Sequence, residues 1–257
     1  MPVDETGGPE FWEEISLEAA LANLERTGER WDTVVVDEAQ DLGANEWSLV
    51  ETCLAPDARL WIFQDDRQVF WPERKIPESL RQGLVRYELP RAYRNPPGIL
   101  ALVRAYAGEG VDEGTLQRAF EEREVGLVPC HAETLRSGVD KEVRKLLADG
   151  FRPEEIAVVS LRGMKLPENI MHEKSLGGCP TARATDPDCQ EKLVCDTFLR
   201  FKGLERPAVI VTDLDTSVSR YATRAYIACS RALSVLRIVG VRDEMAKDSV
   251  LRRFLPP

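Results

Sequence analysis

The chain has 257 residues and a mass of 28.9 kDa, enough for one large core or two modest ones. Its 43% apolar and 30% charged residues are ordinary for a globular protein. No apolar run approaches 18 residues and no basic-then-apolar leader opens the sequence, so neither secretion nor membrane insertion is expected. The six cysteines, at 53, 130, 179, 189, 195 and 229, form no CxxC pair, which predicts reduced thiols and a cytoplasmic setting. The net charge of −10 is uneven. Residues 1–90 hold 20 acidic against 8 basic side chains, and the remainder 24 against 26. That asymmetry predicts two units with different surfaces, and the overall acidity argues against a bulk electrostatic nucleic-acid binder without excluding a local basic groove.

In chain order, FWEEISLEAALANLERTG predicts a helix with Phe11, Ile15, Ala19 and Leu21 on its apolar side and Gly28 at its end. TVVVDE predicts a short strand of the kind covered on both faces in a parallel sheet. NEWSLVETCL reads as a helix and ARLWIFQDD as a second buried strand that ends in charge, which together make an α/β repeat. A third apolar segment, VRYELPRAYR, precedes PPGILALVRAYAG, where Pro96 and Pro97 mark a helix start. LVPCHA reads as a strand, VDKEVRKLLADG as a helix closed by Gly150, and EEIAVVSLRG as a strand. Residues 163–190 lack periodicity and predict a long loop with one short helix at most. KLVCDTFLRFKGLE, PAVIVTDL, a helix over ATRAYIACSRALSVL and a strand at RIVGV complete a second α/β set. The boundary is expected near residues 86–95. Trp47, Trp61, Trp71 and Phe70 read as core or nucleotide-side packing rather than base-stacking platforms.

Chemistry in open parallel sheets gathers beyond the carboxyl ends of strands, where Asp37, Glu38, Asp65 and Asp66 fall. One carboxylate of an adjacent pair can hold Mg²⁺ through oxygen ligands while the other orients and deprotonates a water. The same residues also suit the first turn of a helix that follows the strand.

Five segments in order, VVVDEAQD, WIFQDDRQVF, LPRAYRNP, DTFLRFKGLERPAVIV and AYIACSRALSVLRIVG, resemble the motifs of superfamily 1 helicases of the UvrD/Rep type. The resemblance covers most of the chain from residue 32 to 240. It implies RecA-like parallel-sheet domains: a partial first domain over 1–90 that carries the Walker B part, and a second, UvrD-like helicase C-terminal domain over 91–257. It also implies Mg²⁺-dependent ATP hydrolysis coupled to movement on single-stranded DNA. By the same resemblance Asp37 matches the magnesium-associated acid and Glu38 the catalytic base. Gln68 matches the glutamine near the γ-phosphate, with Asp65 or Asp66 in the acidic part of that motif. Arg94 and Arg231 match the two arginines expected to face the triphosphate, which suits phosphoryl transfer because guanidinium forks neutralise developing charge. Glu205 matches the glutamate associated with the ribose, and Gly203 the close-approach glycine before it. Thr197 aligns with a segment that contacts single-stranded DNA.

The resemblance has gaps. Residues 1–31 contain no GxxxxGK[ST] phosphate loop, and no lysine occurs before Lys75. The chain is therefore expected to be the C-terminal portion of a larger helicase-like protein, with a missing N-terminal region as partner, or else a shortened, non-enzymatic binding or scaffold relative. Only 108 positions separate Arg94 from Lys202, too few for the large inserted subdomain of Rep-like motors. Arg200 and Phe201 replace the usual small or polar lead-in to Lys-Gly-Leu-Glu.

Overall fold

Short runs rich in valine and isoleucine form the strands of two separate sheets, one of two strands and one of seven. The computed structural model describes residues 9–89, 94–163, 166 and 168–255, with side chains from residue 17 onward. The chain divides into two units, Met1–Glu88 and Leu89–Pro257.

In the first unit, α1 (Pro9–Thr27) ends where Gly28 adopts φ +67° and donates its N–H to Leu24 O at 2.9 Å, a conformation glycine reaches without a Cβ clash. Strand β1 (Trp31–Val36) runs parallel to β2 (Leu54–Ile62), with Val34 opposite Leu60, Val35 opposite Trp61 and Val36 opposite Ile62. The crossover between them is α2 (Ala44–Cys53), which α1 packs against. Because side chains alternate along a strand, one face of this sheet presents Val34, Val36, Leu60 and Ile62 to a small core around the fully buried Trp47. The other face presents Trp31, Val35, Trp61 and Phe63 to solvent, with Val35 61% and Trp61 58% exposed. The expectation that β1 is covered on both faces is thus not met, since a sheet of two strands with one helical layer leaves half its side chains uncovered. After the short α3 (Glu78–Arg81), residues 84–89 carry no regular structure, and Val85, Tyr87 and Leu89 stand exposed at alternate positions.

The second unit is built on a seven-stranded sheet in the order β3-β9-β8-β4-β7-β6-β5, in which every pair is parallel except β5 with β6. The strands are β3 (Val125–Cys130), β4 (Ile156–Ser160), β5 (Ser175–Leu176), β6 (Cys179–Ala182), β7 (Leu193–Thr197), β8 (Arg206–Thr212) and β9 (Ala232–Val241). Strands β4 and β7 are buried at every position, as expected for central strands that read as unbroken apolar runs. On one face, Val139, Val143 and Leu146 of α6 (Leu135–Ala148) pack on Ile156 and Val158 of β4, together with Ile210 and Val239. On the other face lie α4 (Pro97–Tyr106), α5 (Glu113–Glu121) and α7 (Tyr221–Cys229), with Ile99, Leu102 and Ile227 fully buried. The chain closes with α8 (Arg242–Lys247) and a 3₁₀ turn over Leu251–Phe254.

Two expectations are corrected here. The helix read over ATRAYIACSRALSVL stops at Cys229, and β9 already begins at Ala232, because Arg231 sits between them and the ALSVLRIVGV run pairs with both β8 and β3. The stretch 163–190 holds a 3₁₀ turn over Ile170–His172 and the β5–β6 hairpin.

Candidate functional site

At the carboxyl ends of β1 and β2 the ladder continues beyond the strands. Phe63 N donates to Val36 O at 2.8 Å, and Ala39 N donates to Phe63 O at 2.9 Å. These two bonds clamp the acidic turn after β1 to the acidic turn after β2. Between them Glu38 adopts φ +51°, the left-handed region that costs a non-glycine residue about 1–2 kcal/mol. Its carboxylate accepts from Gln40 Nε2 at 2.5 Å, and Gln40 Oε1 in turn accepts from Asp65 N at 3.1 Å. Asp65 Oδ2 accepts from Gln68 Nε2 at 2.9 Å, while its Oδ1 accepts from Arg67 N at 2.9 Å. The result is a continuous chain, Glu38–Gln40–Asp65–Gln68, whose two glutamines are buried.

Asp37 stands beside this chain, exposed, with Oδ1 accepting from Glu38 N at 2.8 Å. Asp66 is exposed and pairs with Arg86 at 3.3 Å. Asp37, Glu38, Asp65 and Gln68 are therefore brought together, and Gln40 is the member that sequence reasoning missed. An amide inside an acidic run reads as filler; what marks it is burial next to a strand end. The aromatic set divides, with Trp47 in the core and Trp61 on the open face. Trp71 lies under the Arg74 guanidinium at 4.4 Å.

In the second unit, Arg94 Nη1 meets Glu205 Oε2 at 3.0 Å, and the Arg94 side chain is 66% exposed. The next residue, Asn95, donates from Nδ2 to Ser230 O at 2.9 Å and Ala232 O at 2.8 Å, straddling Arg231. Arg206 N, at the start of β8, donates to Arg231 O at 3.1 Å. Arg94, Glu205 and Arg231 thus gather at the amino ends of β8 and β9. Arg231 itself is only 3% exposed, with Nε donating to Ile227 O at 3.1 Å and Ser230 Oγ at 3.2 Å. Gly203 has φ +81° and open space where a Cβ would project. Residues 90–93, the core of the LPRAYR segment, lie outside the described residues.

Thr197 is at the opposite, carboxyl end of the sheet. It is buried, and its Oγ1 accepts from Arg200 N at 3.4 Å. Near it Asp213, at the end of β8, also adopts a left-handed φ of +56°. Its Oδ2 accepts from Ser160 Oγ at 2.7 Å and Ile170 N at 3.2 Å. Burial raises the Asp213 carboxyl above the ordinary aspartate value, opposed by those two bonds and by Arg162.

The strand order and pairing define an α/β protein with a mostly parallel sheet. No protein-family profile matches the chain, and no curated protein does. Among solved structures, the chain is similar to the C-terminal domain of a possible DNA helicase from Lactobacillus plantarum WCFS1. The two are 20% identical with a TM-score of 0.41, over 59% of this chain and 88% of that one. Among the described residues, no helix is long and apolar enough to cross a membrane.

Proposed function

We propose that this chain is the C-terminal portion of a UvrD/Rep-type superfamily 1 helicase or translocase with RecA-like domains, which couples Mg²⁺-ATP hydrolysis to movement on single-stranded DNA. The observation that carries the reading is the Glu38–Gln40–Asp65–Gln68 chain at the carboxyl ends of two adjacent parallel strands, with Asp37 exposed beside it. In this reading Asp37 offers a hard oxygen donor of the kind Mg²⁺ takes, and the ion would neutralise phosphate charge. Gln40 holds Glu38 in one orientation, so that its carboxylate can take a proton from water, and Gln68 is aimed by Asp65. Arg94 is the exposed cation for the triphosphate, and its present partner Glu205 is the ribose-side acid, which a bound nucleotide would release from the pair. The β and γ phosphates still need a glycine-rich loop and lysine, absent from residues 1–31. The exposed face of β1 and β2 agrees with a sheet that lacks strands.

A second reading, a helicase-like nucleic-acid-binding or scaffold protein without catalysis, is favoured by that absent loop and by the burial of Arg231. Phosphate release separates the two. The 257-residue chain with ATP, Mg²⁺ and single-stranded DNA is expected to stay at background. A version joined to the missing phosphate-loop region is expected to turn over, and Glu38→Gln to abolish that turnover. Turnover of the present chain above about 1 s⁻¹, lost in Glu38→Gln, would show that no external loop is needed. Silence of the joined version would favour the scaffold.

A further inference from the structure

Three consecutive carbonyls, those of residues 230–232, accept hydrogen bonds from two segments that each carry one member of the same ion pair. Asn95 Nδ2 donates to Ser230 O at 2.9 Å and to Ala232 O at 2.8 Å. Between them, Arg206 N donates to Arg231 O at 3.1 Å. Asn95 follows Arg94 in the chain and Arg206 follows Glu205. The 3.0 Å contact of Arg94 with Glu205 therefore hangs, one residue away on each side, from a single short anchor.

The anchor is set in the core. Cys229 ends α7 and Ala232 opens β9, both buried, and Arg231 between them is buried as well. Arg94 itself lies outside any helix or strand, with its side chain 66% exposed. An exposed ion pair is too weak to order a long side chain by itself, so what fixes Arg94 is the backbone that carries it. Asn95 holds that backbone from the adjacent position, and Pro96 and the start of α4 at Pro97 leave no slack behind it. The residue type follows from the geometry. Holding two carbonyls at once takes two N–H donors on a short side chain. A primary amide has both, a hydroxyl has one and a carboxylate none.

We propose that Asn95 is a positioning residue of the nucleotide site, a role that rests on the helicase reading above. It acts through Arg94, holding the guanidinium beside Glu205 before any ligand arrives. A nucleotide that offers phosphate to the cation and ribose hydroxyls to the acid then meets both already in place. Aim of this kind matters because a misplacement of about 1 Å can cost on the order of 10²-fold in rate. Closing the end of α7 alone would affect stability and leave Arg94 as ordered as before.

Nuclear spin relaxation of the arginine Nε–H groups in the 257-residue chain separates these two roles. Arg144, whose side chain is also 66% exposed and pairs with Asp140 at 2.9 Å, is the internal control. Asn95→Ala should bring the Arg94 order parameter below about 0.6, the flexible range, and leave Arg144 unchanged. Asn95→Ser, with one donor, should fall between. In the version joined to the phosphate-loop region, Asn95→Ala should lower kcat by about tenfold or more at little-changed KM. Asp112→Ala, which removes the cap of α5 away from this cluster, should leave kcat as in the parent. An Arg94 order parameter unchanged in Asn95→Ala, or a kcat loss no larger than that of Asp112→Ala, would overturn the proposal. A joined parent without turnover would strike the helicase reading and this role together, and the relaxation result tells that failure from a failure of the tether alone.

Discussion

Strands β1 and β4 are both short, parallel and rich in valine, yet β4 is buried at all five positions and β1 at its last residue only. The difference lies in their neighbours. β4 is paired on both sides, by β7 and β8, under helices on either face. β1 has one strand partner and one helical layer. An apolar run therefore specifies a place inside a sheet, and whether the place is filled depends on how many other strands share that sheet. The second unit supplies them. The first leaves Val35 and Trp61 paired to each other in the open.

The largest effect that would break this comparison comes from truncating equivalent apolar residues in the two sheets. Ile210→Ala, in the fully buried centre of β8, should cost the second unit about 2–5 kcal/mol in urea unfolding. Val35→Ala on the open face should change stability by no more than about 0.5 kcal/mol. Similar losses at both sites would mean that the outer face of β1 is covered in solution.

A middle-sized effect sharpens the contrast inside the second unit, between its two motif arginines. Arg231→Ala removes a buried guanidinium that donates to Ile227 O and Ser230 Oγ, and should lower stability by about 1.5–3 kcal/mol. Arg94→Ala removes an exposed ion pair and should cost under about 1 kcal/mol. A thermal melt unchanged in Arg231→Ala would return that residue to the open-cleft role the resemblance implies.

The smallest effect is a slope with pH. The folded Asp213 carboxyl titrates above its unfolded value, so the native state holds the proton more tightly. This group's contribution is fully present below the ordinary aspartate value and is lost as pH rises through the raised one. Asp213→Asn should therefore gain stability relative to the parent as pH rises across the range just above the ordinary aspartate value, at no more than about 1.4 kcal/mol per pH unit. A difference that is flat across that range would mean Asp213 is ionised at little cost.

Much of the architecture is legible from the residues. The run at 156–160 reads as a strand and is one, the segments at 192–205 and 207–214 each supply a strand of the second α/β set, and Gly150 closes α6 with φ +101°. The helix α5 is hard to read from sequence because Leu116, Ala119 and Phe120 give it a narrow apolar side within a charged stretch. The helix end at Cys229 is not legible from sequence because ALSVL satisfies both a helical and an extended pattern, and only pairing with β8 and β3 decides between them. For the candidate site, the carboxylates were visible as charge at strand ends. The bridging role of Gln40 and the depth of Arg231 were not, since both depend on what packs around them.

One consequence follows from the path between Thr197 and Glu205. The segment leaves the top of β7 and returns to the bottom of β8, pinned by the wholly interior rings of Phe198 and Phe201. Phe201 N bonds to Thr197 O at 3.0 Å, and Leu204 N to Phe201 O at 3.1 Å. Such a segment behaves as a strut and not as a spring. Close-packed interiors deform little, so the buried rings of Phe198 and Phe201 hold Thr197 and Glu205 at a fixed spacing across the sheet.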